Sequence, residues 1–262
     1  MKEGYVRMVE GAGKPDHRPV TAAVIVAAGA SARMGSPKQF IPLRGVPVIA
    51  YTLSAFEQAS SIDEIVLVAR QEHILQYYDI AKSYEIRKLT QIIPGGNSRQ
   101  ESAARGVSAC HGNTAFFAVH DGARPLIRPE IIDAVAAAAY WDRAAAAAVR
   151  VKDTVKVSDE NGFITATPDR RFLWNVQTPQ IFERNLYLDA LKQAVRQGRD
   201  YTDDCQLAEA AGYPVRLVES DYRNIKITTP EDVSMAETLL GRETDAAYTM
   251  EAGSGHADRT WI

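Results

Sequence analysis

Apolar runs alternate with longer amphipathic stretches between residues 21 and 240, and this pattern predicts strands that alternate with helices. Residues 22–27 and 64–69 are almost continuously apolar, as is typical of strands buried on both faces. Helices are expected at 48–58 and around 73–83, after each of these strands. Buried strands joined by helices predict an α/β fold with a mostly parallel sheet and helices on both faces.

The next elements are marked by signals at their beginnings. A short strand is expected at 91–93. Ser98 is followed three residues later by Glu101, and this capping box predicts a helix that runs to about residue 110. A strand at 115–119 leads to a helix that begins at Pro129, because proline favours the first helical position.

Residues 144–149 give two conflicting signals. Their five alanines favour a helix by intrinsic propensity, whereas the alternation requires a strand after the preceding helix, and a strand is expected here. The remaining expected elements are a helix at 203–211 capped by Thr202, strands at 215–219 and 224–227, and a last helix from Pro230 to about residue 240.

Residues 151–168 interrupt the alternation of strands and helices. Two stretches with a period of two flank an Asn161–Gly162 turn, which indicates a β-hairpin. Because a two-stranded ribbon is only marginally stable alone, this arm (about 151–172) is expected to lean on another surface, and a second subunit is a reasonable candidate. The polar ends, a loose leader at 1–20 and a tail at 241–262, are expected to be disordered and to flank a single domain at 21–240.

Composition narrows the class of protein. A formal net charge of −3 over 262 residues gives no general support for binding nucleic acid, so any cationic site must be local. The apolar runs are far shorter than the roughly 20 residues of a membrane helix. Two isolated cysteines indicate no disulfide framework, and a cytoplasmic protein without membrane or nucleic-acid partners is expected.

The loop at residues 27–39 is the most informative stretch of the chain. It is rich in small residues, follows the first buried strand, and carries Arg33 and Lys38. Such a loop lets the backbone approach a polyanion while two cations reach it, which suits a nucleoside triphosphate. It fits neither of the two common glycine-rich phosphate motifs. Alternatively, both cations are ordinary solvated surface residues.

Three further regions carry candidate chemistry. The segment from Gly95 to Ser102 opens a helix whose backbone N–H groups could bind an anion or a base edge, although a plain capped loop has the same pattern. Asp121 follows a strand, where a carboxylate commonly holds a metal ion or a ribose hydroxyl, or simply forms a turn. His120 is expected to be structural or to support a neighbouring site residue, because no spacing of serine, cysteine or carboxylate indicates a catalytic triad. Lys226 is either functional or the polar face of an edge strand.

Seven separated motifs together resemble the 2-C-methyl-D-erythritol 4-phosphate cytidylyltransferase family over about residues 21–240. They lie at 27–39, 95–102, 120–125, 151–156, 168–180, 201–204 and 224–232. The resemblance implies a Rossmann-like nucleotidyltransferase sheet with a protruding β-arm that embraces the partner in a homodimer. It also implies transfer of CMP from CTP to methylerythritol phosphate with Mg²⁺ or another divalent cation.

The resemblance also implies roles for individual residues. Those assigned to catalysis are Arg33, Lys38, Asp121 and Lys226. Those assigned to CTP are Ala27, Ala28, Gly29, Ala30, Arg33, Lys38, Gly95, Gly96, Arg99, Ser102 and Asp121. Those assigned to the sugar phosphate are Asp121, Arg124, Thr154, Arg170 and Lys226, with Thr154 and Arg170 delivered from the partner's arm. Asp121 would also touch the metal ion, which the CTP phosphates mainly hold.

Two other functions remain open at this stage. Ribitol-5-phosphate cytidylyltransferases share the fold, the small-residue loop and the histidine–aspartate cluster, and their acceptor is also a polyol phosphate. A non-catalytic nucleotide-binding regulator would need the fold without its cations. The presence of Arg33, Lys38, Asp121 and Lys226 together argues against that regulator.

Overall fold

The structure, a computed structural model, describes residues 18–29 and 37–253, with side chains described as far as Gly241. The strands are β1 (Thr21–Val26), β2 (Pro42–Leu43), β3 (Val46–Pro47), β4 (Glu64–Ala69), β5 (Leu89–Pro94), β6 (Phe116–Asp121), β7 (Ala144–Arg150), β8 (Val157–Ser158), β9 (Ile164–Ala166), β10 (Trp174–Glu183) and β11 (Arg216–Glu219). The helices are α1 (Val48–Gln58), α2 (Ile74–Ser83), α3 (Arg99–Ala109), α4 (Pro129–Asp142), α5 (Arg184–Gln197), α6 (Asp204–Ala210) and α7 (Pro230–Gly253).

One mostly parallel sheet organises this part of the chain. Its strand order is β11-β7-β10-β6-β1-β4-β5, and β1 pairs in parallel with both β4 and β6. Among the described strands of this sheet, β10 alone is antiparallel to both of its neighbours, β6 and β7. One buried cluster joins the sheet to α1, α2 and α4, and a second joins it to α3, α5 and α6. The predicted α/β fold with helices on both faces is therefore confirmed.

The alanine-rich segment is a strand, as the alternation predicted. Ala144 to Ala148 are fully buried in β7, between β10 and β11. Because both faces of this strand are covered, burial and ladder pairing outweigh the high helical propensity of alanine. The predictions for β1, β4, α1 and α4 are confirmed to within two residues at each end.

Other predictions were wrong in detail. The expected strand at 224–227 is irregular and is tied to the sheet by a hydrogen bond from the Ile227 N–H to the Ala123 carbonyl (2.8 Å). The cap of α6 is Asp203 rather than Thr202, since the Asp203 carboxylate accepts from the Gln206 N–H. The last helix, expected to end at about residue 240, continues to Gly253, and Gly241 lies within it beside the Arg44 side chain.

Besides the two-residue strands β2 and β3, two long elements were missing from the sequence-based assignment. Residues 174–183 form the ten-residue strand β10, although Pro179 lies inside it and its pairing with β7 shifts register between Val176 and Gln180. An interior proline and an irregular register remove the alternating pattern on which strand prediction depends. The fourteen-residue helix α5 follows directly and packs on β6 and β10.

Helix α3 packs unusually close to the sheet. A side chain at Gly106 would overlap Val24 on β1 and Val68 on β4, so glycine is required for this approach. The beginning of α3 is thereby brought to the carboxyl ends of β1 and β4, where open α/β sheets bind their ligands.

The predicted hairpin arm is present. Strands β8 and β9 pair antiparallel, and Gly162 has a positive φ of 85° in the turn between them. Phe163 and Ile164 near its tip are 72% and 65% exposed. The arm therefore presents apolar side chains to its surroundings.

Residues 1–17, 30–36 and 254–262 lie outside the described part, and most of the expected leader and part of the expected tail fall there. In the described part, no helix is both long enough and apolar enough to cross a membrane.

Candidate active site

A cavity of about 530 Å³ opens where β1, β4, β5 and β6 end at the same edge of the sheet. Its lining includes nine of the predicted site residues: Ala28, Gly29, Lys38, Gly95, Gly96, Arg99, Ser102, Asp121 and Lys226. These residues are separated by up to 198 positions in sequence. The fold therefore brings motifs that are far apart along the chain to one cavity.

Asp121, the last residue of β6, lies at the centre of a group of cations. Its carboxylate oxygens are 2.9 Å from the Lys226 ammonium nitrogen, 3.3 Å from Arg99 Nε and 3.6 Å from Arg124 Nε. Burial alone would raise the pKa of Asp121, but the charges of Arg99, Lys226 and Arg124 outweigh it and hold this pKa well below the usual value. Asp121 is therefore ionised at neutral pH.

The charge balance of this group favours an anionic ligand. Arg99 also contacts the buried carboxylate of Asp204, at 2.6 Å from Nη1. Three cations and two carboxylates leave one net positive charge on these five side chains. Because the cavity is partly shielded from water, this surplus attracts phosphate more strongly than it would on an open surface.

Close backbone packing forms the floor of the cavity. A side chain at Gly95 would overlap Ala28, and one at Gly96 would overlap Glu101. The Ser102 hydroxyl accepts a hydrogen bond from the Gly96 N–H (3.0 Å) and donates one to the Ser98 carbonyl (2.8 Å). These contacts fix a stretch of bare backbone that a planar base or a sugar can approach.

The predicted cap of α3 is confirmed with one difference. The Ser98 hydroxyl accepts from the Glu101 N–H (3.1 Å), as expected of a capping box. The Glu101 carboxylate, however, accepts from the Asn97 N–H (2.7 Å) rather than from that of Ser98. The beginning of the helix is fixed in either case.

Lys38 reaches the cavity from a short 3₁₀ turn, Lys38–Phe40. The neighbouring Gln39 is buried, and its side-chain amide donates to the Ala27 carbonyl (3.0 Å) at the end of β1. This bond ties the segment that carries Lys38 to the sheet. Ala27 itself is buried, while Ala30 and Arg33 belong to residues 30–36, outside the described part.

Thr154 and Arg170 lie apart from this cavity in the described chain. Both are exposed on the arm, and Arg170 Nη1 donates to the Lys152 carbonyl (3.0 Å). The fold of one chain does not bring them to Asp121.

A buried polar network supports the cations, and the sequence analysis assigned no role to most of its members. Arg124 Nη1 donates to the Asn224 carbonyl (2.8 Å), two residues before Lys226. The Asn224 side-chain amide donates to Gln177 Oε1 (3.0 Å) and to the Thr178 carbonyl (2.9 Å). Gln177 and Thr178 belong to the 168–180 motif, and Asn224 is the first residue of the 224–232 motif. Their place in these motifs is the feature of the sequence that could have identified them as part of the site.

His120 belongs to the same network and is fully buried. The Thr178 hydroxyl lies within hydrogen-bond distance of His120 Nδ1 (3.0 Å) and accepts from the Asp121 N–H (3.1 Å). Burial, which outweighs the charge of Asp121, lowers the pKa of His120 to about 3. The ring is therefore neutral at physiological pH, as suits the structural role expected of it.

A cationic cavity with a glycine floor, at the carboxyl edge of a mostly parallel sheet, characterises α/β enzymes that act on nucleotide phosphates. Comparison with known proteins identifies a family within this class. The family model of 2-C-methyl-D-erythritol 4-phosphate cytidylyltransferase matches residues 21–242.

Relatives described as this cytidylyltransferase are similar over most of the chain. One from Caldanaerobacter subterraneus subsp. tengcongensis is 45% identical over 221 residues, which is 83% of this chain and 97% of the relative. One from Desulforamulus reducens is 45% identical over 223 residues, covering 84% and 95%. The chain therefore belongs to the 2-C-methyl-D-erythritol 4-phosphate cytidylyltransferase family, and it is a nucleotidyltransferase.

Solved structures named as this enzyme are also similar to the chain. The 4-diphosphocytidyl-2C-methyl-D-erythritol synthase from Anaerococcus prevotii matches with a TM-score of 0.78 and 32% identity, covering 85% of this chain and 96% of that one. The 2-C-methyl-D-erythritol 4-phosphate cytidylyltransferase from Thermus thermophilus matches with a TM-score of 0.67 and 30% identity, covering 85% and 98%.

The buried His120 should make stability depend on pH. Its folded pKa lies below the ordinary value of 6.5, so the unfolded chain takes up this proton first as the pH falls. Stability is therefore lost from about pH 6.5 down to about pH 3, and the loss between pH 7 and pH 5 is about 2 kcal/mol. Glutamine does not titrate, so His120→Gln should remove this part of the dependence.

Urea unfolding of wild type and His120→Gln at pH 7 and pH 5 measures the effect. The other titrating groups are common to both proteins and cancel in the comparison. If the free energy of unfolding falls equally in the two proteins between pH 7 and pH 5, His120 is not the group whose protonation lowers stability.

Proposed function

We propose that this chain transfers the cytidylyl group of CTP to 2-C-methyl-D-erythritol 4-phosphate and releases pyrophosphate. The observation that carries the proposal is the cavity in which Lys38, Arg99, Lys226 and Asp121 meet a glycine floor. Membership of the cytidylyltransferase family supplies the identity of the nucleotide and of the acceptor.

The chemistry needs charge and position rather than a general base. A phosphate monoester has a second pKa of about 6, so the acceptor is largely dianionic at neutral pH. An oxygen of the acceptor phosphate attacks the α-phosphorus of CTP in line, and the bond from that phosphorus to the leaving pyrophosphate breaks. Fixed cations offset the repulsion between the two anions and stabilise the transferring group.

The geometry suggests a division of labour within the cavity. The backbone at Gly95 and Gly96, with Ser102, suits the base and ribose. Lys38 suits the triphosphate, and Arg33 is assigned to it by the family resemblance. Lys226 and Arg124 both lie against Asp121 Oδ2, whereas Arg99 lies against Oδ1, and the first two could hold the acceptor phosphate. We assign transition-state stabilisation to Lys38 and Lys226.

Mg²⁺ fits this site as a companion of the triphosphate. Among the described residues, no three histidine, cysteine, aspartate or glutamate side chains form a metal-binding group. Mg²⁺ commonly takes one or two carboxylates together with substrate phosphates and water. We assign Asp121 as its protein ligand beside the phosphates of CTP, and the bound ion would neutralise charge on the triphosphate.

The arm suggests a homodimer. Thr154 and Arg170 lie apart from the cavity of their own chain, and the arm exposes Phe163, Ile164 and Phe172. An apolar, marginally stable ribbon is stabilised by packing on a second subunit. In this proposal the arm of one subunit delivers Thr154 and Arg170 to the acceptor site of the other.

A cytoplasmic location fits this function. Cys110 and Cys205 are free, as is usual in a reducing compartment. Burial raises the pKa of both thiols, which makes them unreactive.

The proposed function is tested by pyrophosphate release from CTP and Mg²⁺ with two alternative acceptors. Methylerythritol 4-phosphate should be strongly preferred to ribitol 5-phosphate. The reverse preference would assign the chain to ribitol phosphate, and binding of CTP without turnover of either acceptor would favour a non-catalytic regulator.

Replacing Lys38 should slow the chemical step. Lys38→Ala is expected to lower kcat about 10²–10³-fold at saturating substrates, the usual effect of removing one preorganised contact to the transition state. Lys82→Ala, which removes an exposed lysine on α2, is the matched control and should leave kcat unchanged. Near-normal turnover of Lys38→Ala would remove Lys38 from the mechanism.

The arm should determine the oligomeric state. Ile164→Asp is expected to weaken the dimer by about 2 kcal/mol or more, because it places a charge where an apolar side chain is buried. Light scattering coupled to gel filtration measures the mass, and turnover should fall with the dimer fraction. Leu75→Asp changes an 80%-exposed residue on α2 and should alter neither. A monomeric, fully active wild type would contradict the proposed role of the arm.

A further inference from the structure

A second carboxylate, that of Asp204, holds Arg99 from the side opposite Asp121. Arg99 Nη1 lies 2.6 Å from Asp204 Oδ2, a shorter contact than the 3.3 Å between Arg99 Nε and Asp121 Oδ1. Asp204 is 1% exposed and begins helix α6, where the positive end of the helix dipole also favours a carboxylate. No role was assigned to this residue from the sequence beyond its place in a motif.

Asp204 is itself fixed in one orientation. The hydroxyl of Tyr187, a fully buried residue of α5, donates to Asp204 Oδ1 at 2.6 Å. Burial, followed by the charge of Asp204, raises the pKa of Tyr187 well above its usual value, so this hydroxyl remains a donor. Both carboxylate oxygens of Asp204 are therefore engaged, one by Tyr187 and one by Arg99.

The helix that carries Asp204 is anchored to the sheet. Gln180 on β10 donates from its side-chain amide to Asp203 Oδ2 (3.1 Å) and accepts from the Cys205 N–H (2.9 Å). The orientation of Arg99 thus rests on β10, α5 and α6, whereas its backbone belongs to α3. Together with β6, which ends in Asp121, five elements determine where one guanidinium group lies.

Arg99 retains one unused donor. Its Nη2 atom is buried and has no hydrogen-bond partner among the described residues. A buried donor without a partner is costly, and a bound ligand can supply the missing acceptor. Arg99 lines the cavity beside Gly96, Ser102 and Asp121, at the part assigned above to the base and ribose.

We propose that Asp204 is a positioning residue for nucleotide binding, which acts by holding Arg99 so that Nη2 is presented to the nucleotide while Nε supports Asp121. The inference rests on the proposed function, because it takes CTP as the nucleotide. Without Asp204, Asp121 is the remaining carboxylate partner of Arg99, and the guanidinium turns toward a carboxylate that Lys226 and Arg124 already occupy.

The test uses Asp204→Asn, which keeps the shape of the side chain and removes its charge. CTP binding measured by calorimetry should weaken about tenfold or more, the scale of a lost hydrogen bond to a charged group. In steady state the KM for CTP should rise by a similar factor while kcat changes much less. A purely structural role would lower the melting temperature without this split.

Glu209→Gln is the matched control, five residues further along α6. Glu209 is an exposed residue of this helix, and the structure places the ion pair to Arg99 on Asp204. This variant also removes one carboxylate charge and should keep its affinity for CTP. Equal affinity for CTP in wild type, Glu209→Gln and Asp204→Asn would overturn the inference.

A double-mutant cycle tests whether Asp204 acts through Arg99. In an Arg99→Met background, Asp204→Asn should cause no further loss of CTP affinity. A second tenfold loss in that background would overturn the inference. If Asp204→Asn does not fold, Tyr187→Phe removes only the hydroxyl donor to Asp204, and it should weaken CTP binding in the same direction. Unchanged CTP binding by Tyr187→Phe would then overturn the inference.

These outcomes separate the inference from the proposed function. Calorimetry needs no turnover, so a wild type that binds CTP without reacting would contradict the function alone. A wild type that reacts normally, with CTP affinity indifferent to Asp204, would contradict the inference alone.

Discussion

The ion-pair group around Asp121 is the constraint on which the site depends. Arg99 comes from the beginning of α3, Arg124 from the segment after β6 and Lys226 from the segment before α7. Three cations brought this close would repel one another strongly in a partly buried site. One carboxylate at the end of β6 lies against all three and makes their assembly possible, and the positive charge that remains is available to phosphate.

The fold serves this group by fixing the segments that carry it. Gly106 lets α3 lie close enough to β1 and β4 for Arg99 to reach Asp121. The buried side chains of Gln177 and Asn224, with the backbone carbonyl of Thr178, connect β10 to the segment that carries Lys226. A buried amide that loses its hydrogen-bond partner costs free energy of folding. These hydrogen bonds therefore fix the orientation of the segments that they join. Catalysis by position and charge requires this rigidity.

Sequence patterns predicted the layers of the fold and most of the cavity. Continuous apolar runs identified β1 and β4, and the alternation of elements identified β7 despite its alanines. The same reasoning missed β10, because an interior proline and a register shift erase its periodicity. It also misplaced the cap of α6, since Thr202 and Asp203 are both acceptable capping residues and the tertiary contact with Gln180 engages Asp203.

The residues of the candidate site also fall into two groups. Local sequence patterns predict one group, and only the tertiary packing brings the other group together. Lys38, Gly95 and Asp121 come after strands of a sheet predicted to be mostly parallel, so their meeting at its carboxyl edge could be predicted. Asp204 and Tyr187 could not be connected to Arg99 in this way, because their contacts depend on how α5 and α6 pack on the sheet. Local patterns do not encode such packing.

The ionisation of Asp121 is the most direct test of this account. Carbon-13 NMR of the aspartate carboxyl groups, with Asp121 assigned by its absence in Asp121→Asn, follows each group from pH 7 to pH 4. Because the three cations hold the pKa of Asp121 far below its usual value, its signal should not move over this range. A signal that has moved about halfway to its protonated position at pH 4, as an ordinary pKa of about 3.9 requires, would show that the carboxylate does not bind these cations together.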